Sequence, residues 1–443
     1  MTRLEIKQAE TNPQNDLAGP GDVTSVHLDA LRGLAALSVV LSHWQGCFFA
    51  DYPSLAHPSA LTVFAYYLTS FGHCSVIVFF VLSGYLVGGS VVRAKRVGRW
   101  SLRSYLLARA SRLYVVLLPA LLLGALADWA GMHQTGGDLI YSGHSGVAWF
   151  AFNAYSRLKP SVFAGNVLFL ETIWVPALGS NGPLWSLVCE FWYYLAFPVL
   201  VVMLSKSARL RTRVGSGLLL ILGCLFVGRH IAIDAIPWLM GVLILYLPPI
   251  PTRRRLTRRL AIMAALAIFA VGMVLAHGGL APNDLTFIPR LHLVLGRSWD
   301  VPIYDLFLSL PVTLLIWVLI HCAKTPMASR YVWLARSSAR QSYTLYLVHL
   351  PALIFLKAFW KMPLAIPSWH AVLTNLVPLL IVLVYAQLVY QLFEKNTERV
   401  RNWLKPSVLG AGAPAFALLK RWHIHEDVNQ ASAQTIKAAT EEY

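Results

Sequence analysis

Ionisable side chains set inside apolar stretches are the chemically suggestive feature of this sequence. In LDALRGLAALSVVLSHW, Leu28–Trp44, Arg32 and His43 stand eleven residues apart. On a helix that is about three turns, so both fall on one face, about 16 Å apart along the axis. Ionisable groups in hydrocarbon are costly and tend to face a polar cavity, so the pair marks a candidate functional site. The plainer alternative is a snorkelling arginine and a hydrogen-bonded structural histidine. In GPLWSLVCEFWYYLAFP, Gly182–Pro198, Glu190 follows Ser186 by one turn and precedes Tyr193 and Tyr194 at i+3 and i+4, so they form a polar stripe. A carboxylate there must be neutralised, paired or hydrogen-bonded, and a histidine at matching depth is the obvious partner. Bonding only to hydroxyls is the other option.

Three further segments carry weaker signals. FFVLSGYLVGG, Phe79–Gly89, places Ser83 among small residues; that is a helix-packing signal, and the G-x-S-x-G turn of a serine nucleophile is absent. SYTLYLVHLP, Ser342–Pro351, puts Ser342, Tyr346 and His349 on one stripe. His349 either lines a cavity or is a satisfied packing residue. Arg109 and Arg112, spaced i and i+3, close a basic run that starts at Arg93. They can clamp a phosphorylated ligand bidentately, or simply set topology beside anionic lipid.

The elements that position these residues are membrane helices. Of 443 residues, 57% are hydrophobic and 13% charged, whereas soluble domains carry about 25% charged residues. Apolar spans of about 20 residues begin near Leu31, Cys74, Leu113, Leu184, Gly215, Ile231, Leu260, Tyr304, Ser342 and His370, which predicts about ten transmembrane helices in an all-α polytopic protein. The Gly215 and Ile231 spans are so closely linked, through Gly228-Arg229-His230, that they form either a tight hairpin or one broken element. Val162–Trp174 is apolar too, but Asn166, Glu171 and flanking prolines favour an interfacial or re-entrant piece.

The formal net charge of +17 falls in short runs between spans rather than in a nucleic-acid-binding patch. Arg93–Arg112, Lys206–Arg213, Arg253–Arg259, Lys324–Arg340 and Lys395–Lys405 all lie on one side in a ten-span scheme, which predicts cytoplasmic N- and C-termini. Residues 1–27 read as a polar cytoplasmic segment without the apolar core of a cleavable signal, 28–404 as the transmembrane domain, and 405–443 as a flexible cytoplasmic tail. The five cysteines show no metal-ligand spacing, so no metal site is expected. Cys47 and Cys74, near the outer ends of their helices, can pair as a disulfide, with isolated buried thiols the commoner arrangement.

Depth counting on this topology gathers the polar residues. His43 falls about 12 Å below the outer surface, Glu190 about 9 Å and Ser83 about 13 Å. His349, counted outward from Ser342, lies about 10 Å above the inner surface, shallower than His43.

Taken in order and spacing, these segments resemble the acyltransferase 3 family, polytopic membrane enzymes that O-acylate polysaccharides and other carbohydrates. The resemblance runs from about Val26 to Glu394. It rests on Arg32 and His43, FFVLSGY at Phe79–Tyr85, Arg109 and Arg112, PLWSLVCEFWYY at Pro183–Tyr194, SYTLYLVH at Ser342–His349 and FEK at Phe393–Lys395. Two departures lie at helix ends: Val115 and Asn396 stand where the family commonly has proline. The resemblance implies a bacterial inner-membrane O-acyltransferase that uses acyl-CoA, with acetyl-CoA expected, as co-substrate and no tightly bound cofactor. It implies a carbohydrate or lipid-linked glycan acceptor. His43 would act as general base or acyl-accepting nucleophile, Glu190 would fix its tautomer, and Arg32, Arg109 and Arg112 would hold the CoA phosphates. Ser83, Tyr194, Ser186 and His349 are candidates to support substrate or oxyanion. A proton-coupled transporter of glycans or small acids, with His43 and Glu190 as a relay, is the rival reading. The sequence leaves open a homo-oligomer.

Overall fold

The computed structural model describes residues 22–134, 139–144, 150, 152–251, 254–278, 300–325, 327–361 and 364–409. Most of the N-terminal segment expected over 1–27, most of the tail over 405–443 and most of the 277–301 loop lie outside these residues. The domain's helical part is longer than expected at both ends. The first helix, α1, is Asp22–Phe48, and the last runs on to Leu409.

Helices α2 (Ala60–Thr69), α3 (Gly72–Ser83), α4 (Gly89–Arg96) and α5 (Leu102–Met132) follow. Next come α6 (Pro160–Val167), α7 (Trp185–Met203), α8 (Leu210–Leu243) and α9 (Arg255–Gly278). The series ends with α10 (Asp300–Cys322), α11 (Ser329–Trp360), α12 (Trp369–Leu392) and α13 (Thr397–Leu409). No strand forms among the described residues, where the only pairings of that kind are the isolated bridges Phe49–Ala365 and Glu171–Val175. All five cysteines are free thiols.

Nine helical segments among the described residues are long and apolar enough to cross a membrane. Segment α8 holds two limbs rather than one continuous helix. Gly228 adopts φ 81°, ψ 170°, a conformation that glycine reaches without a Cβ clash. Before it, α8 runs against α7 in the opposite sense, with Arg213 Nε donating to Met203 O and the Phe226 ring meeting Trp192. After it, the direction reverses: Tyr193 OH donates to Ile231 O, and Trp238 packs on Phe197. The Gly215 and Ile231 spans are therefore the two limbs of a hairpin. The apolar 162–174 stretch is not a crossing: α6 is one short helix, and Phe169 (φ 55°) and Thr172 (φ 63°) turn the chain back beyond it.

Two helix pairings build the interior. The second limb of α8 crosses α3 at glycines on both sides. A Cβ on Gly84 would lie 1.8 Å from Trp238 O, and one on Gly241 would lie 2.0 Å from Val81 O. Only bare backbone permits that approach. At the same place α3 widens into a π turn, Gly84–Gly88, directly after Ser83. The other pairing sets α1 beside α11 in parallel. His27 meets Tyr331, Arg32 meets Ala339 and His43 meets His349, a nearly constant sequence offset.

Candidate active site

The parallel packing of α1 and α11 fixes the geometry around His43. His349 Nε2 lies 3.1 Å from His43 Nδ1, and the two rings tilt at 44° with centroids 5.0 Å apart. His349 is fully buried. Its Nδ1 faces two backbone carbonyls, Tyr346 O at 2.8 Å and Leu345 O at 3.1 Å. A carbonyl only accepts, so this nitrogen carries the proton and Nε2 of the neutral ring accepts. His43 Nδ1 faces Val39 O at 3.0 Å as well as His349 Nε2. It must then be the protonated nitrogen of His43, which leaves Nε2 as the nitrogen bearing the basic lone pair. The tautomers follow from the hydrogen-bond network, the usual ground for assigning them.

This differs from the sequence expectation in two ways. At His43 Nδ1 stands an imidazole, where the Glu190 carboxylate was expected. His349 is also level with His43 rather than shallower, because α11 begins at Ser329, a full thirteen residues before the Ser342 from which its depth was counted.

Glu190 belongs to a neighbouring network. Tyr194 OH donates to Glu190 Oε2 at 2.7 Å and lies 3.3 Å from Ser83 Oγ, which accepts from Trp238 Nε1 at 3.1 Å. The indole, serine and tyrosine thus form a chain directed at the carboxylate. Arg109 and Arg112 lie within electrostatic reach of the same carboxylate. Glu190 thus takes a tyrosine hydroxyl bond and lies in the field of two guanidinium groups. Ser83 and Tyr194 each have one hydroxyl proton, and the chain directs both toward Glu190, away from the oxyanion role expected of them. Ser186 Oγ meets Tyr346 OH at 2.7 Å, and Tyr346 donates to Pro183 O at 2.9 Å. That pair ties the start of α7 to the turn of α11 before His349.

The three expected arginines converge. Arg32 Nη2 donates to Ala339 O at 2.9 Å and is within electrostatic reach of Arg112 and Glu394. Arg109 sits between the rings of Tyr105 (5.7 Å) and Tyr194 (5.9 Å), and Arg112 lies 5.5 Å from the Tyr343 ring centre. Each such cation–ring contact contributes on the order of 0.5–2 kcal/mol. The buried Nε atoms of Arg32 and Arg109 have no hydrogen-bond partner. Arg109, in contact with two aromatic rings and with a bond left to make, suits an anionic ligand, while Arg32 also pairs with Asp29 at 3.6 Å.

Sequence reasoning missed Trp238, Tyr105, Tyr343 and Glu394. Glu394 Oε2 accepts from the Thr344 backbone N at 3.1 Å and from its hydroxyl at 2.6 Å, and it faces Arg112 and Arg32. Its signal was present as the lone acid of Phe393–Lys395 after a long apolar run. Among the described residues no cluster of histidine, cysteine and acidic side chains is arranged to hold a metal ion.

Comparison with known proteins places this architecture. No solved structure matches the chain. The protein "Acyltransferase MdmB" of Streptomyces mycarofaciens is 30% identical over 186 residues, which is 40% of this chain and 40% of that relative's own length. The acyltransferase domain that defines the acyltransferase 3 family matches residues 26–415. With nearly its whole length matched and its helices long enough to cross a membrane many times, the chain is a multi-pass membrane protein of the acyltransferase 3 family.

Proposed function

We propose that this protein moves an acyl group, acetyl in the simplest case, from acyl-CoA to a hydroxyl of a carbohydrate or glycan-like acceptor in the bacterial inner membrane. The arginine cluster lies on the cytoplasmic side, both termini are cytoplasmic, and no tightly bound cofactor takes part. One observation carries the proposal: a histidine whose Nε2 bears the lone pair stands on the same helix as an arginine of a three-arginine cluster. The axial distance between them, about 16 Å, is on the scale of a pantetheine arm.

In this reading Arg109, Arg112 and Arg32 hold the CoA phosphates, with Glu190 and Glu394 keeping the guanidinium groups in register. His43 Nε2 takes the proton of the acceptor hydroxyl as its oxygen attacks the thioester carbon. The carbon–sulfur bond then breaks, and the CoA thiolate leaves with the proton from the imidazolium. His349 keeps His43 Nδ1–H in place throughout. Direct attack by Nε2 on the thioester carbon uses the same geometry: the carbon–sulfur bond breaks, CoA leaves as thiolate, and the Nδ1 proton passes to His349. The acceptor hydroxyl then attacks the acyl-imidazole, its oxygen taking the acyl group as the bond to Nε2 breaks and its proton going to the thiolate.

The test is incorporation of labelled acetyl from acetyl-CoA into membrane glycans by proteoliposomes of the purified chain. Incorporation that depends on His43 supports the assignment. Counterflow of labelled glycan or small acid without acetyl-CoA, and no incorporation, would instead make the chain a transporter.

A further inference from the structure

The loop between α6 and α7 holds two buried oxygen atoms that the mechanism above does not use. Glu171 is 3% exposed and Asn181 2% exposed, and Glu171 Oε2 and Asn181 Oδ1 have no hydrogen-bond partner. Buried polar atoms are almost always satisfied, so two in one loop point to a ligand that completes them. The loop is built rather than slack. Asn166 spans it with three bonds, from Nδ2 to Val162 O and Pro176 O and from Leu178 N to Oδ1. Phe169 stacks on Phe191 at 4.1 Å, and its carbonyl accepts from Trp192 Nε1, which seats the loop beside Glu190 on α7. Phe169 and Thr172 hold left-handed conformations on either side of Glu171, the kind of local strain that persists where surrounding structure over-determines it.

Both groups come to one turn of α11. Asn181 Nδ2 donates to Leu347 O, two residues before His349, and Glu171 is within electrostatic reach of Tyr346. Arg157 is the cation within electrostatic reach of Glu171, and its guanidinium lies 3.4 Å from the Phe152 ring centre. Burial pushes the Glu171 carboxyl well above the ordinary carboxylate range. Two unpartnered oxygen acceptors, one on a carboxyl and one on a carboxamide, suit the O–H donors of a hydroxylated ligand.

We propose that Glu171 and Asn181 form the acceptor subsite, each bonding a hydroxyl of a polyhydroxylic ring and so setting one further hydroxyl against His43 Nε2. This rests on the O-acyltransferase reading and deepens it, because it names the residues that recognise the acceptor.

The experiment uses the full chain in proteoliposomes with labelled acetyl-CoA and a panel of neutral hexose methyl glycosides as acceptors. Acetyl-CoA hydrolysis without acceptor is measured in parallel. Glu171→Leu and Asn181→Ala are expected to raise the acceptor KM about tenfold each, with acceptor-free hydrolysis unchanged. Glu171→Gln, which keeps a hydrogen-bonding group, restores the unmodified KM. Transfer and hydrolysis falling together, or an acceptor KM indifferent to all three substitutions, would overturn the subsite alone. No transfer by the unmodified chain would overturn the O-acyltransferase reading and the subsite with it.

Discussion

His349 Nε2 approaches His43 Nδ1 at 3.1 Å, so the partner that orients the His43 ring is a second imidazole anchored to the backbone carbonyls of Leu345 and Tyr346. A carboxylate in that position would fix the tautomer and also balance the imidazolium charge. A neutral ring fixes the tautomer alone. His43→Ala and His349→Phe should therefore not be equivalent, and Glu190 should answer to a different assay.

Replacing His349 by Phe should lower acyl transfer about 100-fold while leaving the donor KM unchanged, because it frees the His43 ring without touching the donor site. Glu190→Gln should leave the pH–rate profile where it is, whereas His349→Phe should shift it. A profile displaced by Glu190→Gln and indifferent to His349→Phe would return the orienting role to the carboxylate.

At the arginine cluster the expected effect is on binding. Arg109→Ala should raise the donor KM by about 10- to 100-fold with kcat little changed, since in the proposed arrangement the contact it removes is to the donor's non-reacting phosphates. Arg109→Lys should recover only part of the loss, because a point charge lacks the planar fork that lies between Tyr105 and Tyr194. Steady-state kinetics at varied acetyl-CoA separates these outcomes from a fall in kcat.

Gly241→Leu should force α3 and the second limb of α8 apart, since even a Cβ at that position meets Val81 O at 2.0 Å. The cost should be about 1–3 kcal/mol, read as a lower melting temperature in detergent. Trp238 should also lose Ser83, which near-ultraviolet circular dichroism of the indole can report. An unchanged melting curve would mean that the close crossing does not hold these helices.

Glu171 supplies a pH dependence whose sign is fixed. Its folded-state carboxyl binds a proton to a higher pH than in the unfolded chain. Its contribution to stability therefore falls as pH rises from the ordinary carboxylate range toward the raised value. Glu171→Gln removes that slope, so the variant should hold its melting temperature better than the unmodified protein as pH is raised above the ordinary carboxylate range. Parallel melting curves above that range would contradict the buried carboxyl's raised affinity for its proton.

What the sequence made legible was local. Arg32 and His43 on one face of α1, and Glu190 with Tyr194 one turn on, follow from helical periodicity within a single element. The hairpin at Gly228 was one of two readings because glycine marks a reversal without declaring its direction. Partners across helices were harder. His349 was counted from Ser342, but α11 starts among the polar and basic residues after Ser329, and hydropathy alone puts the start of a span where apolar residues begin. Trp238 and Glu394 reach the site only through the Gly84–Gly241 crossing and the turn after α12, contacts between distant parts of the chain that no linear spacing encodes.

The central claim is that His43 Nε2 handles the chemistry at a donor site floored by Arg32. Its most direct test compares labelled acetyl transfer from acetyl-CoA by His43→Ala, Arg32→Ala and the unmodified chain, with membrane insertion confirmed for each. Both variants should insert normally, and both should transfer no acetyl above background. Near-normal transfer by a correctly inserted His43→Ala would contradict the base and the nucleophile readings together.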